Sequence, residues 1–121
     1  MITFIEYPKC STCIRAKKWL IANNVEFIDR HIVTENPTAE ELAAWYPQSG
    51  LPLKKFFNTS GKLYKEMNLK DRLSEMSEAE QLQLLATDGM LVKRPIILGD
   101  DFVLVGFKED QWGQKLTKEN A

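Results

Sequence analysis

Two cysteines separated by two residues, Cys10 and Cys13, lie where a predicted strand gives way to a predicted helix, and this constrains the fold most strongly. Residues 2–7 alternate in polarity and contain Ile, Thr, Phe and Tyr, which predicts a strand. Ser11 or Thr12 can cap a helix, because apolar residues then recur with helical spacing. The Cys-x-x-Cys motif is therefore expected at the N-terminus of a helix that directly follows a strand.

The positions of the two thiols predict different roles for them. Unpaired backbone N–H groups and the helix macrodipole favour an anion at a helix N-terminus. We therefore expect Cys10 to ionise more readily than a free cysteine and to act as the nucleophile. Cys13 follows one turn later and is placed to resolve a mixed disulfide on Cys10. Two alternatives stay open: a pair of inert reduced cysteines, or a zinc site, for which His31 is the only further soft ligand.

Size and charge exclude several classes of protein. The 121 residues favour a single domain over 1–121. The 16 basic and 17 acidic residues give a net charge of −1, which argues against direct binding of nucleic acid. The apolar runs are too short to cross a membrane, and the N-terminus does not resemble a signal peptide. We expect a cytoplasmic monomer in which Cys10 and Cys13 are not a structural disulfide.

The rest of the chain contains two helix-start signals and a late hairpin. Thr38 with Glu41 and Ser77 with Glu80 have the spacing of capping boxes, and Pro47 is expected to end the first of these helices. The remaining elements are predicted from periodicity and breakers: a strand over 25–32, a short helix over 53–57 in an otherwise irregular 48–68, a helical turn over 70–73, strands over 95–98 and 102–105 joined by a turn at 99–101, and a helix over 109–117 before a fraying tail at 118–121.

The order of these elements predicts the fold class. A strand–helix–strand unit requires parallel strands and a right-handed crossover, and the late hairpin adds an antiparallel pair. We therefore predict an α/β protein with a thioredoxin-like (glutaredoxin-like) βαβ-ββα core, in which helices pack on a four-stranded mixed sheet. The middle of the chain, about 38–90, is expected to be an inserted helical lobe above the first helix.

Arg94 directly precedes the third predicted strand, and Pro95 begins it. In a thioredoxin-like fold this place holds a cis-proline beside the reactive cysteine, so we expect Arg94 near the sulfur of Cys10. A guanidinium there lowers the pKa of the thiol and binds an oxyanion; the alternative is an ordinary surface arginine. Ser11 and Thr12, with Pro95, are expected to shape the substrate site.

Other conspicuous side chains have structural interpretations. His31 is interpreted as a strand residue whose ring is satisfied by hydrogen bonds. Trp112, which Gly113 follows, is expected to be half exposed. The basic residues of the first helix are interpreted as a solvated face: Arg15, Lys17 and Lys18.

Four segments of the chain form a set of motifs: Tyr7-Pro8-Lys9-Cys10-Ser11-Thr12-Cys13, Glu35-Asn36-Pro37-Thr38, Lys93-Arg94-Pro95-Ile96-Ile97 and Val105-Gly106-Phe107-Lys108-Glu109-Asp110. Together they resemble the arsenate reductase-like (ArsC/Spx) family over nearly the whole chain. The resemblance implies a glutaredoxin-like fold with an inserted helical lobe.

Two branches of that family imply different functions. The glutaredoxin-coupled arsenate reductases are similar in Cys10 and Arg94. They hold the oxyanion with two further arginines, which align near Asn58 and near Gly106, and they usually have one active-site cysteine. The Spx branch comprises RNA-polymerase-binding regulators that sense disulfide stress. It shares the Cys-x-x-Cys pair, while its polymerase-contacting glycine aligns with Pro52.

A third branch, arsenate-reductase-like proteins of unsettled role, is most similar in the segments 50–61 and 88–95. We therefore predict a thiol-disulfide oxidoreductase that uses Cys10, Cys13 and Arg94 on a mixed disulfide or a small oxyanion. No bound cofactor or metal is expected. Glutathione, a thioredoxin or a glutaredoxin would be the reductant, so the expected partner is a small thiol or a redox protein. The alternative is an Spx-type redox-sensing transcriptional regulator that binds RNA polymerase.

Overall fold

The computed structural model describes residues 1–117 as a mixed sheet covered by helices on both faces. The strands are β1 (Ile2–Glu6), β2 (Phe27–His31), β3 (Ile96–Leu98) and β4 (Val103–Val105). The helices are α1 (Ser11–Ala22), α2 (Ala39–Ser49), α3 (Lys62–Glu66), α4 (Leu69–Arg72), α5 (Glu78–Thr87) and α6 (Glu109–Leu116), with 3₁₀ turns at Leu53–Phe56, Leu73–Glu75 and Gly89–Leu91. The tail predicted at 118–121 lies outside the described residues.

The sheet has the strand order β2-β1-β3-β4. Strands β1 and β2 are parallel, while β3 is antiparallel to both β1 and β4. This is the four-stranded mixed sheet of a thioredoxin-like core, and the predicted fold class is confirmed. No helix in the part of the chain that the structure describes combines the length and the hydropathy needed to span a bilayer.

Alternation along the strands separates two apolar cores. Phe4, Ile97 and Leu104 are paired across the sheet and point to the face covered by α1 and α6. The next residue along β1, Ile5, points to the opposite face, where it packs with Ile96 and the helices of the lobe. The lobe therefore covers the sheet face opposite α1, and the expectation that it lies above the first helix is wrong.

Trp112 of α6 is central to the first core. Its side chain is fully buried, and its Nε1–H donates to the carbonyl of Gly106 at 3.1 Å. Its ring makes edge contacts with Trp19 and Phe107. The expectation of a half-exposed Trp112 is wrong, because its position on α6 points toward the sheet while the adjacent Gly113 faces open space.

Both capping boxes form and begin helices of the lobe. The Thr38 hydroxyl accepts from the Glu41 N–H at 3.0 Å, and the Ser77 hydroxyl accepts from the Glu80 N–H at 3.1 Å. Helix α2 nevertheless continues through Pro47 and ends at Gly50, whose φ of 69° lies in the left-handed region that glycine tolerates. The prediction that Pro47 ends this helix is therefore wrong, and α3 forms in a segment predicted to be irregular.

An ion pair joins the lobe to the edge strand β2. The Arg30 guanidinium donates to both carboxylate oxygens of Glu41 at 2.8 Å and lies 5.5 Å from the centre of the Trp45 ring. The hydrogen bonds from Arg30 lower the pKa of Glu41 to about 2, against the opposing effect of burial. Glu41 thus caps α2 and anchors it to the sheet.

Candidate active site

Cys10 is the N-cap of α1. Its backbone is extended, with φ −81° and ψ 123°, and its carbonyl accepts the N–H of Ile14 at 3.0 Å. Ser11 is the first residue inside the helix, so the cap predicted at Ser11 or Thr12 lies one or two residues earlier. The half-buried Cys10 thiol makes no capping hydrogen bond, which leaves the first-turn N–H groups free to stabilise a thiolate.

The surroundings of Cys10 lower the pKa of its thiol below the ordinary 9.0. Burial is the largest single effect and acts in the opposite direction. It is outweighed by the backbone N–H and the thiol of Cys13, the guanidinium of Arg94 and the backbone N–H of Thr12, all of which favour the ionised sulfur. The helix N-terminus and Arg94 therefore both stabilise the ionised sulfur of Cys10.

Cys13 has the opposite character. It is fully buried, and burial raises its pKa to about 12, while interaction with the Cys10 sulfur adds to the rise. Both cysteines are free in the structure. Cys13 therefore remains a thiol near neutral pH and donates its proton toward the Cys10 thiolate, which gives the two sulfurs of the motif unequal reactivity.

Arg94 is held over the site by backbone carbonyls. Its Nη1 donates to the carbonyl of Met90 at 3.2 Å, and its guanidinium lies 5.3 Å from the centre of the Tyr7 ring. Tyr7 itself accepts the N–H of Cys10 at 2.9 Å through its carbonyl. The arginine thus lies beside the loop that carries Cys10, as the sequence predicts.

The Arg94–Pro95 peptide bond is cis. The carbonyl of Pro95 accepts the N–H of Gly106 at 2.8 Å, at the end of β4. Gly106 has a φ of 81°, which a residue with a side chain rarely adopts. The Val105-Gly106 end of the hairpin is thereby fixed next to the arginine.

A basic groove of about 560 Å³ extends from this site. Its walls come from α1, the 3₁₀ turn Leu53–Phe56, the segment before β3 and the segment after β4. The groove is lined by six cationic side chains, with no aspartate or glutamate among the described lining residues: Arg15, Lys54, Lys55, Lys93, Arg94 and Lys108. Thr12 also lines the groove, whereas Ser11 is exposed outside it.

This groove revises the interpretation of the basic residues. Arg15 lines the groove, whereas Lys17 binds Asp29 at 2.8 Å and Glu6 at 3.4 Å, so neither belongs to a simple solvated face. Lys93 had no predicted role. Lys54, Lys55 and Lys108 lie close in sequence to Asn58 and Gly106, where the two further arginines of the arsenate reductases align. Their convergence in one groove depends on the packing of the lobe.

Glu6, at the end of β1, is a buried carboxyl that the sequence reasoning missed. Only 3% of the residue is exposed. Burial, followed by the hydrogen bond and charge of Asp29, raises its pKa to about 7 against the opposing effect of Lys17. An acidic residue that directly follows the apolar Phe4 and Ile5 at the end of the strand was the available signal.

His31 is hydrogen-bonded, as interpreted from the sequence. Its Nδ1 accepts the backbone N–H groups of Val33 at 3.1 Å and Thr34 at 3.3 Å. Within residues 1–117, no three His, Cys, Asp or Glu side chains are grouped in a way that could hold a metal ion. The ring of His31 is thus part of the turn after β2.

The fold and the Cys-x-x-Cys site define a thioredoxin-fold protein with a thiol site at a helix N-terminus. The profile of the ArsC family matches residues 5–115, and the chain belongs to this family. The resemblance seen in the sequence is confirmed.

Three known proteins illustrate the similarity. The uncharacterized protein YusI of Bacillus subtilis is 58% identical over 111 residues, which are 92% of this chain and 94% of YusI. The regulatory protein MgsR of the same organism is 33% identical over 99% of this chain and 93% of MgsR. A Bacteroides fragilis crystal structure described as ArsC family related superposes with a TM-score of 0.92 at 59% identity, covering 93% of this chain and 95% of that one.

Proposed function

We propose that this protein is an arsenate-reductase-like thiol-disulfide oxidoreductase in which Cys10 is the nucleophile and Cys13 the resolving thiol. One observation carries the proposal: Cys10 caps α1 beside Arg94, so its pKa is lowered, while burial raises the pKa of Cys13. A thiolate next to a protonated second thiol is the arrangement that such chemistry requires.

In the first step the Cys10 thiolate attacks one sulfur of a disulfide substrate. A Cys10–substrate mixed disulfide forms, and the other substrate sulfur leaves as a thiolate. Arg94 and the first-turn N–H groups stabilise the ionised Cys10 before attack. The leaving sulfur needs no metal, because a thiolate is already a good leaving group near neutral pH.

In the second step Cys13 attacks the sulfur of Cys10 and releases the bound half of the substrate. The charge on Cys10 that helps to keep Cys13 protonated disappears when the mixed disulfide forms, so the pKa of Cys13 falls at this point. Its proton passes to the departing substrate thiolate. The product is a Cys10–Cys13 disulfide.

An external thiol then completes the cycle. Two equivalents of glutathione, or the dithiol of a thioredoxin or glutaredoxin, reduce the Cys10–Cys13 disulfide and are themselves oxidised. The reaction needs no bound cofactor and belongs to a reducing cytoplasm. A small oxyanion held by Arg94 is a further substrate within this proposal, with groove lysines in place of additional arginines.

The test is the reduction of bis(2-hydroxyethyl) disulfide by purified protein, with an excess of external thiol. We expect turnover by the wild type and none by Cys10→Ser. Cys13→Ser is the matched control: incubated with the disulfide in the absence of external thiol, it should form the mixed disulfide on Cys10, detected by mass spectrometry, and go no further. Undiminished turnover by Cys10→Ser would contradict the proposal.

The alternative function is a redox-sensing regulator, supported by the similarity to MgsR. In that case the Cys10–Cys13 disulfide changes a surface that RNA polymerase binds. Co-purification of RNA polymerase with the oxidised protein, and not with Cys10→Ser, would favour the regulator. Binding that ignores the redox state would count against it.

A further inference from the structure

The cationic groove beside Cys10 is lined by six positively charged side chains, of which Arg94 stabilises the ionised Cys10 thiol. The other five provide positive charge beyond that role. The ion pairs found within residues 1–117 use Lys17, Arg30 and Lys62 as cations, and none of them lines the groove. The six groove cations therefore have no carboxylate partner in the part of the chain that the structure describes. In a protein of net charge −1, this is a strong local concentration of unpaired positive charge.

We propose that this groove binds a phosphorylated thiol, in its disulfide form, as the substrate of the Cys10–Cys13 site; the inference rests on the function proposed above. A volume of about 560 Å³ is in the range of small-molecule sites. Lysine and arginine side chains are the residues that bind phosphate oxygens, as point charges and as bidentate donors respectively.

The described lining residues include no aspartate or glutamate, and this favours a phosphorylated thiol over amino-acid thiols as the ligand. Glutathione and cysteine carry an ammonium group, which would enter a cationic groove without a carboxylate to pair with among the described lining residues. A thiol whose charged groups are phosphates, such as coenzyme A, has only negative charges to place there. The apolar lining residues Phe57, Val105 and Phe107 offer contact to its uncharged part.

The geometry connects the groove to the reacting sulfur. Arg94 lines the groove and also interacts with the Cys10 thiol, and Thr12 lines it from the first turn of α1. A bound disulfide is thus positioned for attack: the Cys10–substrate bond forms, one phosphorylated thiolate leaves, and Cys13 then displaces the second. An external thiol of the class named above supplies the two electrons that restore the dithiol.

The test compares coenzyme A disulfide with neutral bis(2-hydroxyethyl) disulfide, using Cys13→Ser so that the mixed disulfide on Cys10 accumulates. The rate ratio of the two disulfides is divided by the same ratio for a neutral small thiol that is a component of neither disulfide, 1-thioglycerol, and this removes the difference in their intrinsic reactivity. We expect a normalised preference for coenzyme A disulfide of about tenfold or more, decreasing as salt is raised. Glutathione disulfide should show a smaller preference.

Charge-reversal variants test whether the groove lysines cause the preference for coenzyme A disulfide. In the same background, Lys54→Glu/Lys55→Glu should reduce the coenzyme A preference about tenfold. The control Lys65→Glu/Lys115→Glu makes the same change in net charge at exposed positions that do not line the groove, and it should leave the preference within about twofold at physiological salt because exposed charges are screened there. Equal losses in both double variants would overturn the inference.

The outcomes separate this inference from the proposed function. If Cys10 reacts with neither disulfide faster than 1-thioglycerol does, the proposed function itself fails. If it reacts with both and shows no normalised preference, only the phosphorylated substrate is refuted. A preference found instead for a disulfide on an acidic peptide would also overturn the inference, in favour of a protein substrate.

Discussion

Replacing Glu6 with glutamine should change how the stability of this protein depends on pH. Glu6 is nearly inaccessible to solvent, and its neighbours are Asp29 of β2 and Lys17 of α1. Burial and the nearby Asp29 carboxylate raise its pKa to about 7, from an ordinary value of 4.5. Lys17 opposes the rise but divides its attraction between two carboxylates. The folded protein therefore keeps a proton on Glu6 that the unfolded chain has already released.

The sign and the size of the effect follow from this difference. Between pH 4.5 and 7 the folded state binds more protons than the unfolded state, so the free energy of unfolding decreases as pH rises. At 1.36 kcal/mol per pKa unit, the loss has an upper limit of about 3 kcal/mol. The lowered pKa of Asp29 acts below its ordinary 3.8, and the raised pKa of Lys17 acts above 10.5, so neither contributes in this range.

Urea unfolding at pH 5 and pH 8, under reducing conditions, measures the effect. Glu6→Gln keeps a hydrogen-bond donor for Asp29 and has no proton to lose, so its stability should vary less with pH and exceed that of the wild type at pH 8. Glu26→Gln, at an exposed position just before β2, is the control and should follow the wild type. A Glu6→Gln variant with the wild-type pH dependence would show that the proton on Glu6 does not cause the change in stability.

Three further substitutions test the site and the lobe. Arg94→Met should raise the pKa of Cys10, since it removes a positively charged hydrogen-bond donor that favours the ionised sulfur; an unchanged thiolate absorbance titration would count against the role of the arginine. Gly89→Ala should lower the free energy of unfolding by about 3 kcal/mol, because a Cβ there overlaps the Ile32 carbonyl. An unchanged midpoint of urea unfolding would show that the backbone relaxes around the added methyl group. Ser77→Ala should lower the free energy of unfolding by about 1 kcal/mol through the lost cap of α5, whereas Ser77→Gly should lower it by only a few tenths of a kcal/mol, both measured by urea unfolding. Equal losses in the two variants would argue against capping as the cause.

Local signals predicted much of the fold because they act over a few residues. The capping boxes at Thr38 and Ser77 begin helices where their side chains satisfy free N–H groups, whatever lies elsewhere in the chain. Pro47 misled the prediction because a proline in the last turn of a helix leaves the preceding turns intact, and the helix stops only at Gly50. The exposure of Trp112 was predicted wrongly because its burial depends on how α6 packs against the sheet.

The candidate site could be predicted in part for the same reason. The two thiols follow from one motif at a helix N-terminus, and Arg94 follows from its place before β3. The groove could not be predicted, because Arg15, Lys55 and Lys108 come from separate segments that only the packed lobe and sheet bring together. The pairing of Glu6 with Lys17 likewise depends on the register of β1 against α1.

The pH dependence of alkylation, measured separately for each cysteine of the wild-type protein by mass spectrometry, tests whether Cys10 and Cys13 have the unequal acidities that the proposed function requires. With iodoacetamide at a low, fixed concentration, Cys10 should reach half of its maximal rate clearly below pH 9.0, and Cys13 should remain protected far above that pH. Two cysteines that titrate together near pH 9.0 would contradict the assignment of nucleophile and resolving thiol.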